Sequence, residues 1–186
     1  MSKVFPFTLS LAGGGGIYEK GSTQTINLSW SYDRDVTSQS VNGEPMTIGI
    51  RAKQYKDVTS DTTYTLSAVY NGETYMDSTA VKFRLKKYYG VSDHETLANG
   101  EILALTNSWA ERSLRTTVFD CSGGKYPYYI LPTSMISDIQ FWIGGLRNSD
   151  WTEEVRSVTN GYGYTESYTI FRLNSIQTGV LNIEVK

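Results

Sequence analysis

One cysteine, Cys121, and one histidine, His94, are all that 186 residues supply of the two side chains most used for zinc binding and for nucleophile–base pairs. Zinc sites made of Cys and His clusters are thereby excluded, and so is a disulfide within the chain. A Cys–His pair reduces to these two residues, and neither carries a catalytic signature: His94 lies in Asp93-His94-Glu95, and Cys121 precedes Ser122-Gly123-Gly124. A Gly-x-Ser-x-Gly elbow, a phosphate loop and a dinucleotide fingerprint are all missing. The four glycines Gly13, Gly14, Gly15 and Gly16 lack the Lys-Ser/Thr that phosphate binding adds, and read as a flexible connection or a tight strand crossing. No run approaches the ~20 apolar residues of a membrane helix, so no membrane insertion is expected. Charge of neither sign accumulates: the net charge is -2, the pI is near 5.5, and Lys86-Lys87 is an isolated basic doublet. Nucleic acid is therefore not an expected partner.

The carboxylates are equally unpromising for chemistry. Asp33-Arg34-Asp35 lacks the rest of a calcium loop, and calcium needs about six to eight oxygens. Glu153 and Glu154 are neighbours, so in a strand they point to opposite faces and cannot flank one glycosidic bond. The expectation is a protein that is not an enzyme and uses neither metal nor cofactor. The sequon Asn27-Leu28-Ser29 falls inside a strand pattern in a chain without an evident export signal. Near the start, Phe5, Phe7, Leu9 and Leu11 alternate, and the segment contains Pro6 and no Ala-x-Ala site. It reads as a first strand and not as a signal peptide, which leaves the product in the cytoplasm where it is made.

What is abundant is tyrosine, fourteen in all, with Thr, Ser and Gly, the composition of pleated half-buried surfaces joined by tight turns. The fold class expected is all-β. Ile26, Leu28, Trp30 and Tyr32 share one face of a period-2 segment, Asn42-Gly43 turns the chain, and Ile48 and Ile50 resume the alternation. Tyr64, Leu66, Ala68 and Tyr70 form another face, ended by Asn71-Gly72, and Val81, Phe83 and Leu85 a third. Tyr64-Thr65-Leu66 resembles the corner tyrosine of immunoglobulin-like and fibronectin type III domains, placed two residues before a core position. The doublet Lys86-Lys87, with Gly90 and Ser92 after it, reads as a junction, giving two tandem β-sandwich domains, 1–88 and 89–186, the first immunoglobulin-like. In the second half, Thr96 to Ile102 reads as a hairpin around Asn99-Gly100, and Ser108-Trp109-Ala110-Glu111 as the capping box of a short helix. Strands are expected at about 118–119, 128–131, 139–143, 154–159, 167–173 and 180–185, with a turn at Asn160-Gly161.

Aromatic residues are the suggestive feature. Trp151, Tyr162 and Tyr164 are candidates for a binding platform, since each ring offers an apolar face and a polar tip. Tyr88, Tyr89, Tyr162 and Tyr164 are candidates for subunit interfaces, where a tyrosine buries area while its hydroxyl finds a partner at the rim.

A succession of segments carries a resemblance. In the first half these include Tyr18-Glu19-Lys20-Gly21-Ser22-Thr23, Ile26-Asn27-Leu28-Ser29-Trp30 and Tyr88-Tyr89-Gly90-Val91-Ser92. In the second they include Tyr128-Tyr129-Ile130-Leu131-Pro132-Thr133-Ser134, Phe141-Trp142-Ile143-Gly144-Gly145 and Tyr168-Thr169-Ile170-Phe171-Arg172 before Thr178-Gly179. In this order they resemble bacteriophage virion proteins of the tail-fibre and baseplate type, from phages and prophages of Bacteroides-like hosts. The resemblance implies a structural part of the virion, a fibre, baseplate or adaptor component. Its partners would be other virion proteins and copies of itself, with a bacterial surface polysaccharide in reach; it supplies no catalytic residues. The alternative is a carbohydrate-binding module with the aromatics as its platform. A surface adhesin would need export that the N-terminus does not support.

Overall fold

Alternating apolar and polar residues make strands with one buried face, and such faces are hidden by stacking sheet on sheet. A computed structural model describes residues 6–186, and its regular structure is almost all strand. Phe5, the first member of the expected N-terminal alternation, lies outside the described residues. The chain divides into two compact units, Met1–Phe83 and Arg84–Lys186. The expected boundary at Tyr88 therefore falls within the second unit.

The first unit holds β1 (Leu9–Gly13), β2 (Gly16–Glu19), β3 (Gln24–Tyr32), β4 (Ser38–Val41), β5 (Glu44–Met46), β6 (Ala52–Val58), β7 (Thr62–Tyr70) and β8 (Glu73–Arg84). One sheet runs β1-β3-β6 and the other β2-β8-β7-β4-β5. Ile26, Leu28 and Trp30 from β3 meet Val41, Tyr64, Leu66, Val81 and Phe83 from the second sheet in one core. This is an immunoglobulin-like sandwich, with chain neighbours distributed between two sheets and a terminal hairpin, β7–β8, in one of them. Asn42 (φ 52) with Gly43 (φ 78), and Asn71 (φ 50) with Gly72 (φ 81), form the tight hairpin turns expected of Asn-Gly. Tyr64 is buried, but its ring meets Tyr55 at 4.7 Å in place of the backbone hydrogen bond of a tyrosine corner. Ile48 and Ile50 do not resume the alternation. They lie in an exposed turn closed by Ile50 N–H on Thr47 O, which Gln39 Nε2 clamps by donating to Thr47 O and Ile50 O, while Gln39 Oε1 accepts from Trp30 Nε1 at 2.9 Å.

The second unit holds β9 (Lys86–Ser92), α1 (Asn99–Ala104), β10 (Thr106–Trp109), β11 (Leu114–Asp120), β12 (Tyr126–Pro132), β13 (Phe141–Ile143), β14 (Leu146–Asn148), β15 (Trp151–Thr159), β16 (Thr165–Leu173) and β17 (Val180–Val185). A five-stranded sheet, β10-β9-β12-β16-β15, packs on a four-stranded one, β11-β17-β13-β14. Phe119, Cys121, Tyr129, Leu131, Phe141, Phe171 and Ile183 fill the space between. The other face of the five-stranded sheet is covered too: Leu97 and Ile102 pack there on Tyr88, Tyr128, Ile130, Val158, Tyr168 and Ile170. β12 is consequently buried on both faces, which explains its apolar run Tyr128-Tyr129-Ile130-Leu131.

Two expectations are corrected here. Asn99-Gly100 opens a helix and not a hairpin: Glu101 Oε2 accepts the Ala98 N–H at 2.6 Å, and Ile102 buries itself against the sheet. Ser108 and Trp109 belong to β10 and not to a helix, and the Glu111 carboxylate accepts from Lys87 Nζ at 3.1 Å instead of capping. Lys87 is 1% exposed and also donates to the Ser113 carbonyl, so half of the apparent surface doublet is a buried, paired cation inside β9.

Candidate functional site

Alternation along β9 sends Tyr88 into the covered outer face and Tyr89 towards the four-stranded sheet. There Tyr89 meets Phe119 of β11, ring centroids 6.3 Å apart. Beside this pair opens a cleft of about 540 Å³, with Tyr89, Gly90, Thr106, Thr117, Asp120 and Lys125 among its walls. Gly90 has a φ of 153°, which L side chains rarely adopt, and a Cβ there would lie 3.2 Å from Leu105 Cδ2, so that side chain would have to give way. Asp120 Oδ1 accepts the Ser122 N–H at 3.0 Å, and Ser122, with the Lys125 ammonium as a lesser influence, holds the Asp120 carboxyl below the usual carboxylate range. The cleft thus sets a carboxylate, an ammonium and two threonine hydroxyls around an aromatic floor, a set of groups that suits a polar, uncharged ligand. Sequence reading missed it because its walls come from three strands, the end of α1 and two loops. The one local sign was Asp120-Cys121-Ser122, whose spacing allows the side chain to bond its own backbone two residues on.

The residues singled out from the sequence do not form one site. Trp151 stacks on Phe141 at 4.0 Å, with planes 17° apart, beside a smaller cleft of about 190 Å³ that includes Arg147, Asn148 and Glu153. Tyr162 and Tyr164 lie at the other end of the β15–β16 hairpin, where Asn160 Oδ1 accepts both of their N–H groups and Tyr164 Oη donates to Glu166 Oε2 at 3.4 Å. Trp151 pairs with Leu173 and Thr159 with Thr165, so roughly 27 Å of strand separates the two ends. The three aromatics are not a common platform. Tyr162 is well exposed, and Tyr88, at 2% exposure, is a core residue, not an available interface residue. Tyr89 is half-buried in the cleft wall.

His94 and Cys121 are separated by the five-stranded sheet. Cys121 is fully buried between the sheets, which pushes its thiol pKa up, whereas the His94 carbonyl accepts from Tyr128 Oη at 2.8 Å on the opposite face and its ring Nδ1 meets Glu101. Glu153 and Glu154 lie on β15 and are both exposed. Among the described residues no three His, Cys, Asp or Glu side chains gather to hold a metal ion, and no helix is long and apolar enough to cross a membrane.

No protein-family model matches the chain, and no curated protein matches it. Among solved structures it is similar to a marsupial T cell receptor at 14% identity, covering 100% of this chain and 93% of that one, with a TM-score of 0.31. A likeness at that score carries no argument about function.

Proposed function

We propose that this chain is a structural component of a phage tail or its attachment apparatus, acting by protein–protein assembly, with a host surface among its possible contacts. The supporting observation is the edge strand β15. Sheet edges invite pairing with another chain, and folded proteins usually blunt them by brevity, proline or a bulge. The remaining edges of this protein follow that practice. β1, β2, β10 and β14 have five residues or fewer, β5 has three and contains Pro45, β6 carries Asp57 at φ 54°, and β11 shifts register between Leu114 and Thr117. β15 alone runs nine residues in unbroken register, with its outer side uncovered by any described strand. The succession of segments resembling tail-fibre and baseplate proteins supplies the setting. Mass spectrometry of purified phage particles, or of particles induced from the prophage that encodes the chain, tests it. The chain is expected in complete particles, and its absence would overturn virion membership.

The cleft beside Tyr89 favours a second reading, carbohydrate binding, because aromatic floors flanked by carboxylate and hydroxyl groups suit sugars. On that reading a glycan array returns a ligand whose binding falls about tenfold or more in Asp120→Asn. No binding by the wild-type chain would dismiss it.

A further inference from the structure

The β15–β16 hairpin determines which backbone groups of β15 are already used. Asn160 N–H donates to Tyr164 O at 2.9 Å and Asn174 N–H to Asp150 O at 3.0 Å. In an antiparallel ladder every second residue exchanges hydrogen bonds with its partner, so the even-numbered residues of β15 bond to β16 and the odd-numbered ones face outwards. Asn99 reports the same parity from the other side: its Oδ1 accepts the Thr159 N–H at 2.8 Å and its Nδ2 donates to Thr159 O at 2.9 Å. Asn99 thereby closes the edge at Thr159. The outward N–H and C=O groups of Trp151, Glu153, Val155 and Ser157 remain.

A second copy of the same edge satisfies the groups of Glu153, Val155 and Ser157 in one register only. Two β15 strands can pair antiparallel about a twofold axis, which makes each contact occur twice. An axis at Glu154 sets that carboxylate against itself, an axis at Glu153 does the same, and an axis at Arg156 opposes two guanidinium groups. An axis at Ser157 would need Thr159, which Asn99 occupies. An axis at Val155 pairs Val155 with Val155 and Glu153 with Ser157, for about six hydrogen bonds, and places Glu154 opposite Arg156 of the second copy at the close, non-hydrogen-bonded positions. Within one chain Arg156 Nε already lies 3.9 Å from Glu154 Oε1, both side chains being on the same face. Across the axis the four charges would alternate in sign. The pairing would also cover Val155, an apolar side chain left 59% exposed.

We propose that two copies of this chain pair through β15, antiparallel and centred on Val155, so that their five-stranded sheets continue into one another. The inference rests on the assembly reading for its setting, but the pairing is tested on the purified chain, whereas virion membership is tested on particles. Sedimentation equilibrium of the full chain should give a dimer with a dissociation constant below about 100 µM. Glu154→Arg alone and Arg156→Glu alone should each weaken it about tenfold or more, by opposing like charges twice, and an equimolar mixture of the two variants should recover the wild-type constant as a heterodimer. Arg156 Nη2 also donates to Leu97 O at 2.5 Å, so circular dichroism must first establish that Arg156→Glu is folded. Val155→Lys, which puts two ammonium groups on the axis and breaks no hydrogen bond within the chain, replaces it if it is not, with the same loss expected. A wild-type chain that stays monomeric at that concentration would overturn the proposal, as would a dimer indifferent to Glu154→Arg.

Discussion

Tyr129 is wholly buried between the sheets of the second unit, its ring edge-on to Phe141 with centroids 6.0 Å apart. Its hydroxyl donates to Arg112 O at 2.9 Å and is within 3.3 Å of Glu111 O, tying down the chain before β11. Tyr129→Phe removes the donor and leaves two carbonyls short of a partner, so it should lower unfolding stability by about 1–2 kcal/mol in denaturant titration. Burial also pushes the hydroxyl of Tyr128 up to about 12, and that of Tyr129 further in the same direction. A raised tyrosine pKa means that the folded state keeps a proton the unfolded chain has released. The associated stability is complete below pH 10 and is lost as pH rises from there towards 12. Denaturant midpoints measured across that window should fall, and by less in Tyr129→Phe than in the wild type. Part of this was legible in the sequence: alternation identified Trp30 and Tyr64 as core, because each sits in a strand with one buried face. The same reading failed at Tyr88 and Lys87, because β9 is covered on both faces and alternation carries no signal there.

The link between β1 and β2 illustrates how much an element depends on glycine. Gly13 ends one sheet's edge strand and Gly16 begins a strand of the other sheet, so the chain changes sheets across a few residues. Gly13 has φ 81°, and a Cβ there would fall 2.1 Å from the Asn27 carbonyl oxygen, which is backbone of β3 and cannot swing aside. Gly13→Ala should therefore detach β1, costing about 1–3 kcal/mol, with faster amide exchange confined to β1 and its partner residues in β3. Sequence reading offered a tight strand crossing for this glycine run, and that was the informative alternative. Element type was lost where turn and cap chemistry overlap. Asn99-Gly100 and Asn71-Gly72 are the same dipeptide, and only the second is a hairpin turn. What distinguishes them is tertiary: Leu97 and Ile102 flank the first with side chains that reach the sheet's outer face, and the Glu101 carboxylate takes up the Ala98 N–H.

At the scale of the molecule, each unit has cores of its own, and the fragments 1–83 and 84–186 should each fold alone, with a cooperative melt and dispersed amide resonances. A fragment that melts without cooperativity would show that its sandwich depends on the other. The β-sandwich fold class was legible from strand spacing, whereas Lys86-Lys87 read as a junction because a buried, paired lysine looks like a solvated one in sequence. The cleft and the β15 edge were not legible, since both arise from which strands become neighbours and which are left outermost. Assembly through that edge is the central claim, and amide hydrogen exchange by NMR on the full chain tests it residue by residue. The amides of Glu154, Arg156 and Val158, bonded within the hairpin, should be protected at every concentration. Those of Glu153, Val155 and Ser157 should exchange rapidly in dilute solution and slow as the protein is concentrated. Equal exchange of these three amides in dilute and concentrated samples would contradict the account.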